Sequence, residues 1–370
     1  MRCIMVQAGI PLKKINPYWS GIIASVFFSL PVPVQANTAI NAVATETQNT
    51  IIAKPTVVNG TTASSTQVPW QVALFAQNAN GQAAYICSGT LINAQWVVTA
   101  AHCFNPQTLE QQPITDHYVV AGTVDLDQIN SPATQVIRVS RQIIHPGYDA
   151  GVNLDNDIAL LKLSEPVDLQ ACGLRCSTID WLQPAQTSQY TALGSLAQVA
   201  GWGETVVTAS NGSQETLYPS RLQVGQLKIA NCGSSRYLYN NKSWPISANM
   251  MCASGADQQN PADTCVGDSG SGLVVNIRSG QPLLAGITSW GEDTPCGERI
   301  LPGVYTRVAN YASWILSYVD QVAYQQQQEQ QQAQQSASTS GSGGGGSISV
   351  GMLLGLGSLM LIRRKWLARK

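Results

Sequence analysis

Between about Val57 and Val308 the apolar residues come in short runs rich in Val, Ile and Leu, separated by Gly, Pro, Asn and Asp. Runs of this length and composition bounded by turn formers predict strands. They fall at Gln71 to Phe75, Trp96 to Thr99, Tyr118 to Val120, Ile158 to Leu163, Leu222 to Ile229, Gly272 to Val275 and Leu283 to Ile287. No helical period persists in this stretch, so it reads as all-β. The period changes only at its end, where Val308, Tyr311, Ala312, Ile315, Leu316 and Val319 share one helical face. A single amphipathic helix is therefore expected to close the domain, with that face packed on the core. No internal repeat is evident.

Both ends break this pattern. Arg2, Lys13 and Lys14 precede the apolar run Gly21 to Val34, and Val34-Gln35-Ala36 has small residues at the spacing signal peptidase reads. A signal peptide over 1–36 is expected, and Pro31 and Pro33 within a short apolar run argue against a membrane anchor. After Tyr324 a glutamine-rich tract runs through Gln335, followed by Ser336 to Ser340 and Gly341 to Gly346. Such composition buries no core, so 323–347 is expected to be a flexible spacer. Ile348 to Ile362 carries no charge, and Arg363, Arg364, Lys365, Arg369 and Lys370 follow. This order predicts a membrane span over 348–362 and a basic cytoplasmic tail over 363–370. As a helix the span rises only about 22 Å against roughly 30 Å of hydrocarbon, so it is a short anchor. Gly351 and Gly355 form a small-xxx-small pair, but in so glycine-rich a span dimerisation is the weaker reading.

Composition narrows the function classes. With 370 residues the chain can hold two barrel-sized units, and with 11% charged residues and a net charge of -1 it offers no overall field for nucleic acid. No nucleic-acid partner is expected. Nine cysteines are present; Cys3 lies in the segment expected to be removed, which leaves Cys87, Cys103, Cys172, Cys176, Cys232, Cys252, Cys265 and Cys296. Only Cys172 and Cys176 approach zinc-ligand spacing, so structural disulfides in an oxidising compartment are the better account. No metal and no cofactor is expected.

Three histidines stand out by context. His102 ends the buried run Val97-Val98-Thr99-Ala100-Ala101 and precedes Cys103, which can staple it. His117 lies at the polar edge of a strand and His145 in a Pro-Gly turn, where both read as bystanders. Asp157 stands at the mouth of the apolar run Ile158-Ala159-Leu160-Leu161, where ionisation demands a hydrogen-bonding partner such as an imidazole. Taken alone it reads as a strand-initiating turn residue. Ser269 lies in Cys265-Val266-Gly267-Asp268-Ser269-Gly270-Ser271-Gly272, whose small residues let the backbone turn tightly and expose a hydroxyl. Taken alone this reads as a loop; the combination of the three is what points to nucleophilic catalysis.

From Val57 to about Val319 the sequence resembles the trypsin and chymotrypsin family of serine proteases. The runs around His102, Asp157 and Ser269 match the family's catalytic motifs in chain order, and Gly201-Trp202-Gly203, Ser289-Trp290-Gly291 and Pro302-Gly303-Val304-Tyr305 match three further landmarks. The resemblance implies an all-β fold of two packed six-stranded antiparallel β-barrels with a short C-terminal helix, over a protease domain at 57–322. It implies a serine endopeptidase acting through an acyl-enzyme, with Ser269 as nucleophile, His102 as general base and Asp157 orienting that base. The backbone N–H groups of Gly267 and Ser269 would form the oxyanion hole. Asp263, six places before the nucleophile, would give specificity for Arg or Lys, with Ser289, Gly291 and Gly303 lining the same S1 pocket. The same matching implies disulfides Cys87–Cys103, Cys232–Cys252 and Cys265–Cys296, and leaves Cys172 to pair with Cys176. The C-terminal order of glycines, short span and basic tail resembles the GlyGly-CTERM sorting signal of Gram-negative exported proteases. That implies export through the inner membrane, removal of the segment by a rhomboid-type protease, and a monomeric product at the cell surface or secreted.

Three features depart from the family pattern. Val57-Val58-Asn59-Gly60 matches the start that activation would free, with Asp268 receiving the Val57 amine, yet Thr56 precedes Val57 and the nearest basic residue, Lys54, is followed by Pro55. A propeptide over 37–56 released by a different, activating protease is therefore expected. The stretch Glu292-Asp293-Thr294-Pro295 is long for the family and borders the pocket, and Ser271-Gly272 stands where the family more often has Gly-Pro. The rival reading is a catalytically silent protease homologue displayed as a surface binding module, and an active protease without basic specificity is a second.

Overall fold

The computed structural model describes residues 10–11, 57–104, 114–151, 154–208, 214–217, 219–233, 237–239, 242–257, 261–292, 296, 301–322, 325–326 and 328–330. The segments expected as signal peptide (beyond residues 10–11), propeptide, membrane span and basic tail, and most of the expected spacer, thus lie outside the described residues, as do 293–295 of the long loop. Where the spacer is described, at 325–326 and 328–330, it is helical, consistent with the good helix propensity of glutamine. Among the described residues no helix is long and apolar enough to cross a membrane.

The strands form two closed antiparallel barrels. The first contains β1 (Gln71–Asn78), β2 (Gln82–Asn93), β3 (Trp96–Thr99), β4 (Ile114–Ala121), β5 (Gln135–Ile144) and β6 (Ala159–Leu163). Its ring runs β2-β1-β4-β5-β6-β3 and is closed by pairing of β2 with β3. The second contains β7 (Leu196–Gly201), β8 (Gln223–Ala230), β9 (Met250–Gly255), β10 (Gly272–Val275), β11 (Leu283–Trp290) and β12 (Gly303–Arg307). Its ring runs β8-β7-β10-β11-β12-β9 and closes through β8 and β9. Each strand of the second ring occupies the place of its counterpart six positions earlier, so the wiring repeats although no repeat is legible in the residues.

Closure removes the exposed edges of both sheets and gives each barrel its own core. In the first, Leu74, Leu91, Val97, Val119, Leu160 and Leu161 have essentially no exposure. In the second, Ala197, Val199, Leu227, Met251, Leu273 and Tyr305 pack together, and Val57 joins them. Strand β8 shows the half-buried alternation that places it, with Leu227 and Ile229 inside and Gln226 and Lys228 outside. The closing helix forms as a 3-10 turn Val308–Tyr311 running into Ala312–Val319, with Val308, Tyr311, Ala312 and Ile315 buried and Leu316 and Val319 only partly so. All four expected disulfides are present, Cys87–Cys103, Cys172–Cys176, Cys232–Cys252 and Cys265–Cys296.

Because Leu160 has 0% exposure on a strand buried on both faces, Leu160→Ala leaves a cavity and is expected to lower unfolding stability by about 2–5 kcal/mol. Urea denaturation followed by tryptophan fluorescence measures it.

Candidate functional site

His102 and Asp157 are brought together by the ends of two neighbouring strands of the first barrel. After β3 the chain makes a 3-10 turn, Ala101–Phe104, pinned by the Cys87–Cys103 disulfide to β2. Ala100 and Ala101 are fully buried, which seats the turn and leaves His102 half-exposed at its edge. Asp157 precedes β6 and has 0% exposure. One carboxylate oxygen accepts the backbone N–H of His102 at 2.8 Å, and the other lies 2.7 Å from His102 Nδ1 and accepts the Ser289 hydroxyl at 2.5 Å. The Asp157 carbonyl accepts the Thr306 hydroxyl at 2.7 Å. Ser289 and Thr306 belong to β11 and β12, so a residue of the first barrel is held by hydroxyls of the second.

The electrostatics follow from this geometry. Burial alone would lower the His102 pKa, but the adjacent Asp157 charge and its hydrogen bond outweigh it and raise the value. Burial would raise Asp157, and His102, the Ser289 hydroxyl and the backbone N–H together hold it below the ordinary carboxylate range. A neutral His102 bonded this way keeps its proton on Nδ1 and presents a basic Nε2.

Ser269 sits on the loop between Cys265 and β10, half-exposed. Gly267 and Gly270 have φ of +97° and +81°, which residues with a Cβ rarely adopt. A Cβ on Gly270 would also collide with the Thr99 hydroxyl and the Ser88 carbonyl. The loop is thus seated on β2 and on the residues leading to His102, and the Ser88 N–H donates to the Ser269 carbonyl at 2.8 Å. Within the loop the N–H groups of Asp268, Gly270 and Ser271 donate to Cys265, Thr288 and Asp268 carbonyls at 3.0, 2.9 and 3.0 Å. Those of Gly267 and Ser269 donate to no acceptor among the described residues.

The remaining expected site residues gather in the second barrel. Asp268 is fully buried, its carboxylate accepting the N–H groups of Gly203 at 2.9 Å and Cys265 at 2.8 Å. A Cβ on Gly203 would lie 2.6 Å from the Asp268 carboxyl carbon, so this landmark glycine makes room for that acid. Val57 is buried with φ of +42°, and Val58 bridges to Asp263, whose N–H donates to the Val58 carbonyl at 3.1 Å. Asp263 is half-buried, and Gly291 and Gly303 are buried. Ser289, expected as a pocket residue, directs its hydroxyl to Asp157.

Neither remaining histidine joins the site. His117 packs edge-on against Phe104 at 5.1 Å and lies 2.7 Å from the Gln142 amide. His145 stacks edge-on between Tyr311 and Trp314, each at 5.0 Å. Cys87, His102 and Cys103 place possible ligand atoms within 4.8 Å of one another, but the two sulfurs are bonded together and supply no thiolate pair for a metal. Sequence reasoning missed Thr306, Tyr85 and Ser88, which carry no motif and act through hydrogen bonds to residues distant in the chain.

Known proteins resemble this chain over the two barrels. A family model described as Trypsin matches residues 57–315. The chain is 35% identical over 259 residues to a protein named Trypsin from Sus scrofa, covering 70% of this chain and 94% of that protein. It is 34% identical to Cationic trypsin-3 of Rattus norvegicus, covering 70% of this chain and 87% of the relative. To Trypsin-3 of Salmo salar it is 36% identical, covering 63% of this chain and 82% of the relative.

The His102–Asp157 pair makes a titration prediction. A raised imidazole pKa stabilises the fold below the ordinary value of 6.5 and that contribution is lost as pH rises through the folded value. A depressed carboxyl contributes above its ordinary 3.8 and is lost as pH falls through the folded value, so the pair contributes fully between 3.8 and 6.5. NMR titration of the His102 ring should give a midpoint above 6.5 in the native protein and below it in Asp157→Asn, where burial acts without the compensating charge.

Proposed function

The chain belongs to the trypsin family of serine proteases, and from that premise we propose that it cleaves peptide bonds after Arg or Lys with Ser269, His102 and Asp157 as its catalytic residues. The observation that carries this reading is the buried line from Ser289 through Asp157 to His102, with the Ser269 loop seated on the same wall. His102 Nε2 takes the Ser269 proton as the hydroxyl oxygen attacks the scissile carbonyl carbon, and returns it to the leaving amine. Asp157 fixes the tautomer and stabilises the imidazolium. A water molecule, deprotonated by the same imidazole, then attacks the acyl carbon, the bond to the Ser269 oxygen breaks, and that oxygen takes the proton back as the acid product leaves. The unengaged N–H groups of Gly267 and Ser269 receive the developing oxyanion, a role in which one donor is worth about 10²- to 10³-fold in rate.

Asp263 is the acid that would meet a cationic side chain, with buried Gly291 and Gly303 leaving room for its length. Its backbone bridge to Val58 links this pocket to the activation segment. On this reading the Val57 amine, once freed from Thr56, pairs with Asp268, and the absence of a basic residue before Val57 calls for a separate activating protease. Export, a Gly-rich spacer and a sorting segment cleaved by a rhomboid-type protease complete the proposal for the ends of the chain. Substrates are proteins or peptides, and the mature form is a monomer.

A fluorophosphonate probe is expected to label Ser269 in the mature protein and not Ser269→Ala; an unlabelled mature protein would instead support a silent binding module. On a peptide library, Asp263→Ser should lower kcat/KM for Arg and Lys substrates about 10²-fold or more, since a desolvated charge loses its partner. Purified proprotein should keep its N-terminal segment, native and Ser269→Ala alike, until another protease is added. Release of Val57 by the native form alone, read by intact mass, would contradict the separate activator.

A further inference from the structure

Four consecutive peptide units make up the turn around Ser269, and each has its carbonyl engaged. The Val266 carbonyl accepts the Glu204 N–H at 2.6 Å, the Asp268 carbonyl the Ser271 N–H at 3.0 Å, and the Ser269 carbonyl the Ser88 N–H at 2.8 Å. The Gly267 carbonyl differs: it accepts the Tyr85 hydroxyl at 2.7 Å. Three of the anchors are thus backbone groups and the fourth is a side chain from β2 of the opposite barrel.

The anchored unit is the one most in need of it. Gly267 has no Cβ and sits at φ of +97°, so rotation of its peptide meets little steric resistance. Rotation there would break the Asp268 N–H bond to the Cys265 carbonyl and strain the two flanking peptide units, which carry the Gly267 and Ser269 N–H groups. Tyr85 is itself held, edge-on to Phe75 at 5.9 Å and to Trp202 at 6.3 Å, with its oxygen 2.9 Å from the Ser88 hydroxyl. Ser88 is the residue whose N–H secures the Ser269 carbonyl and whose own carbonyl accepts the Thr99 hydroxyl at 2.7 Å. One short stretch of β2 therefore grips the turn at two carbonyls, two residues apart.

We infer that the Tyr85 hydroxyl is a positioning group for the oxyanion-binding N–H groups of Gly267 and Ser269, supplied by the first barrel to a turn carried by the second. The inference rests on the protease function proposed above. The Tyr85 hydroxyl is bonded to the Gly267 carbonyl, so its effect should appear where the oxyanion is formed.

The test is Tyr85→Phe in the mature full-length protein, which removes the hydroxyl and keeps the ring against Phe75 and Trp202. Loss of an oxyanion donor outright costs about 10²- to 10³-fold, and loosening its peptide a smaller share, so kcat on an arginine ester should fall roughly tenfold to thirtyfold with KM changed less than about twofold. The inhibition constant of a peptide arginine aldehyde, which forms a tetrahedral adduct, should rise in parallel. That of benzamidine, which needs only the acidic pocket, should stay unchanged. Native kcat and aldehyde affinity in Tyr85→Phe would overturn the inference, and so would equal weakening of aldehyde and benzamidine. A native protein that neither reacts with a fluorophosphonate nor binds the aldehyde would overturn the proposed function as well.

Discussion

A carboxylate with no exposure to water stays charged only when donors replace its hydration, and the hydrogen bonds around Asp157 do so with groups from both barrels. The first barrel contributes the His102 ring and N–H from a turn fixed by a disulfide. The second contributes the Ser289 hydroxyl and, through the carbonyl of the same residue, that of Thr306. Separating the barrels would strand a buried charge. The requirement to satisfy one acid therefore fixes the seam along which the rest of the site is laid out.

Much of this was legible in the sequence. Trp96–Thr99 and Gly272–Val275 form strands over the expected residues because each is a fully buried apolar run flanked by turn formers. Strand Gln135–Ile144 was missed because Arg138, Ser140, Arg141 and Gln142 face outward and dilute the apolar signal, leaving Ile137, Val139 and Ile143 as its buried contribution. Strand Gln82–Asn93 was hidden by the small and polar residues that dominate its run. His102 could be singled out because it ends a buried apolar run beside a cysteine, and Asp157 because an acid at the mouth of an apolar strand needs a partner, though alone it reads as a turn residue. Tyr85, Ser88 and Thr306 could not be, since a hydroxyl on a strand carries no sign of which carbonyl lies opposite it.

The turn around Ser269 shows how small residues serve precision. Gly270 lets the chain lie against Thr99 and Ser88, and Gly201 and Gly203 admit the buried Asp268 carboxylate beneath it. Asp268 in turn holds the Gly203 and Cys265 N–H groups, so the Ser269 turn is tied to the second barrel from below and to the first from the side. The carbonyls of the turn are each held by a hydrogen bond, and the N–H groups left over among the described residues are those of Gly267 and Ser269.

The repeated wiring of the two barrels carries a consequence for biosynthesis. Under the proposed mechanism the earlier copy holds the imidazole and the acid and the later one the serine, so a ribosome would complete the base well before it adds the attacking group. On that mechanism a nascent chain that has folded only its first half has not yet made Ser269. Hydrolytic capacity, on this reading, is deferred until the later copy has closed, and a truncated product is inert toward the cell that made it.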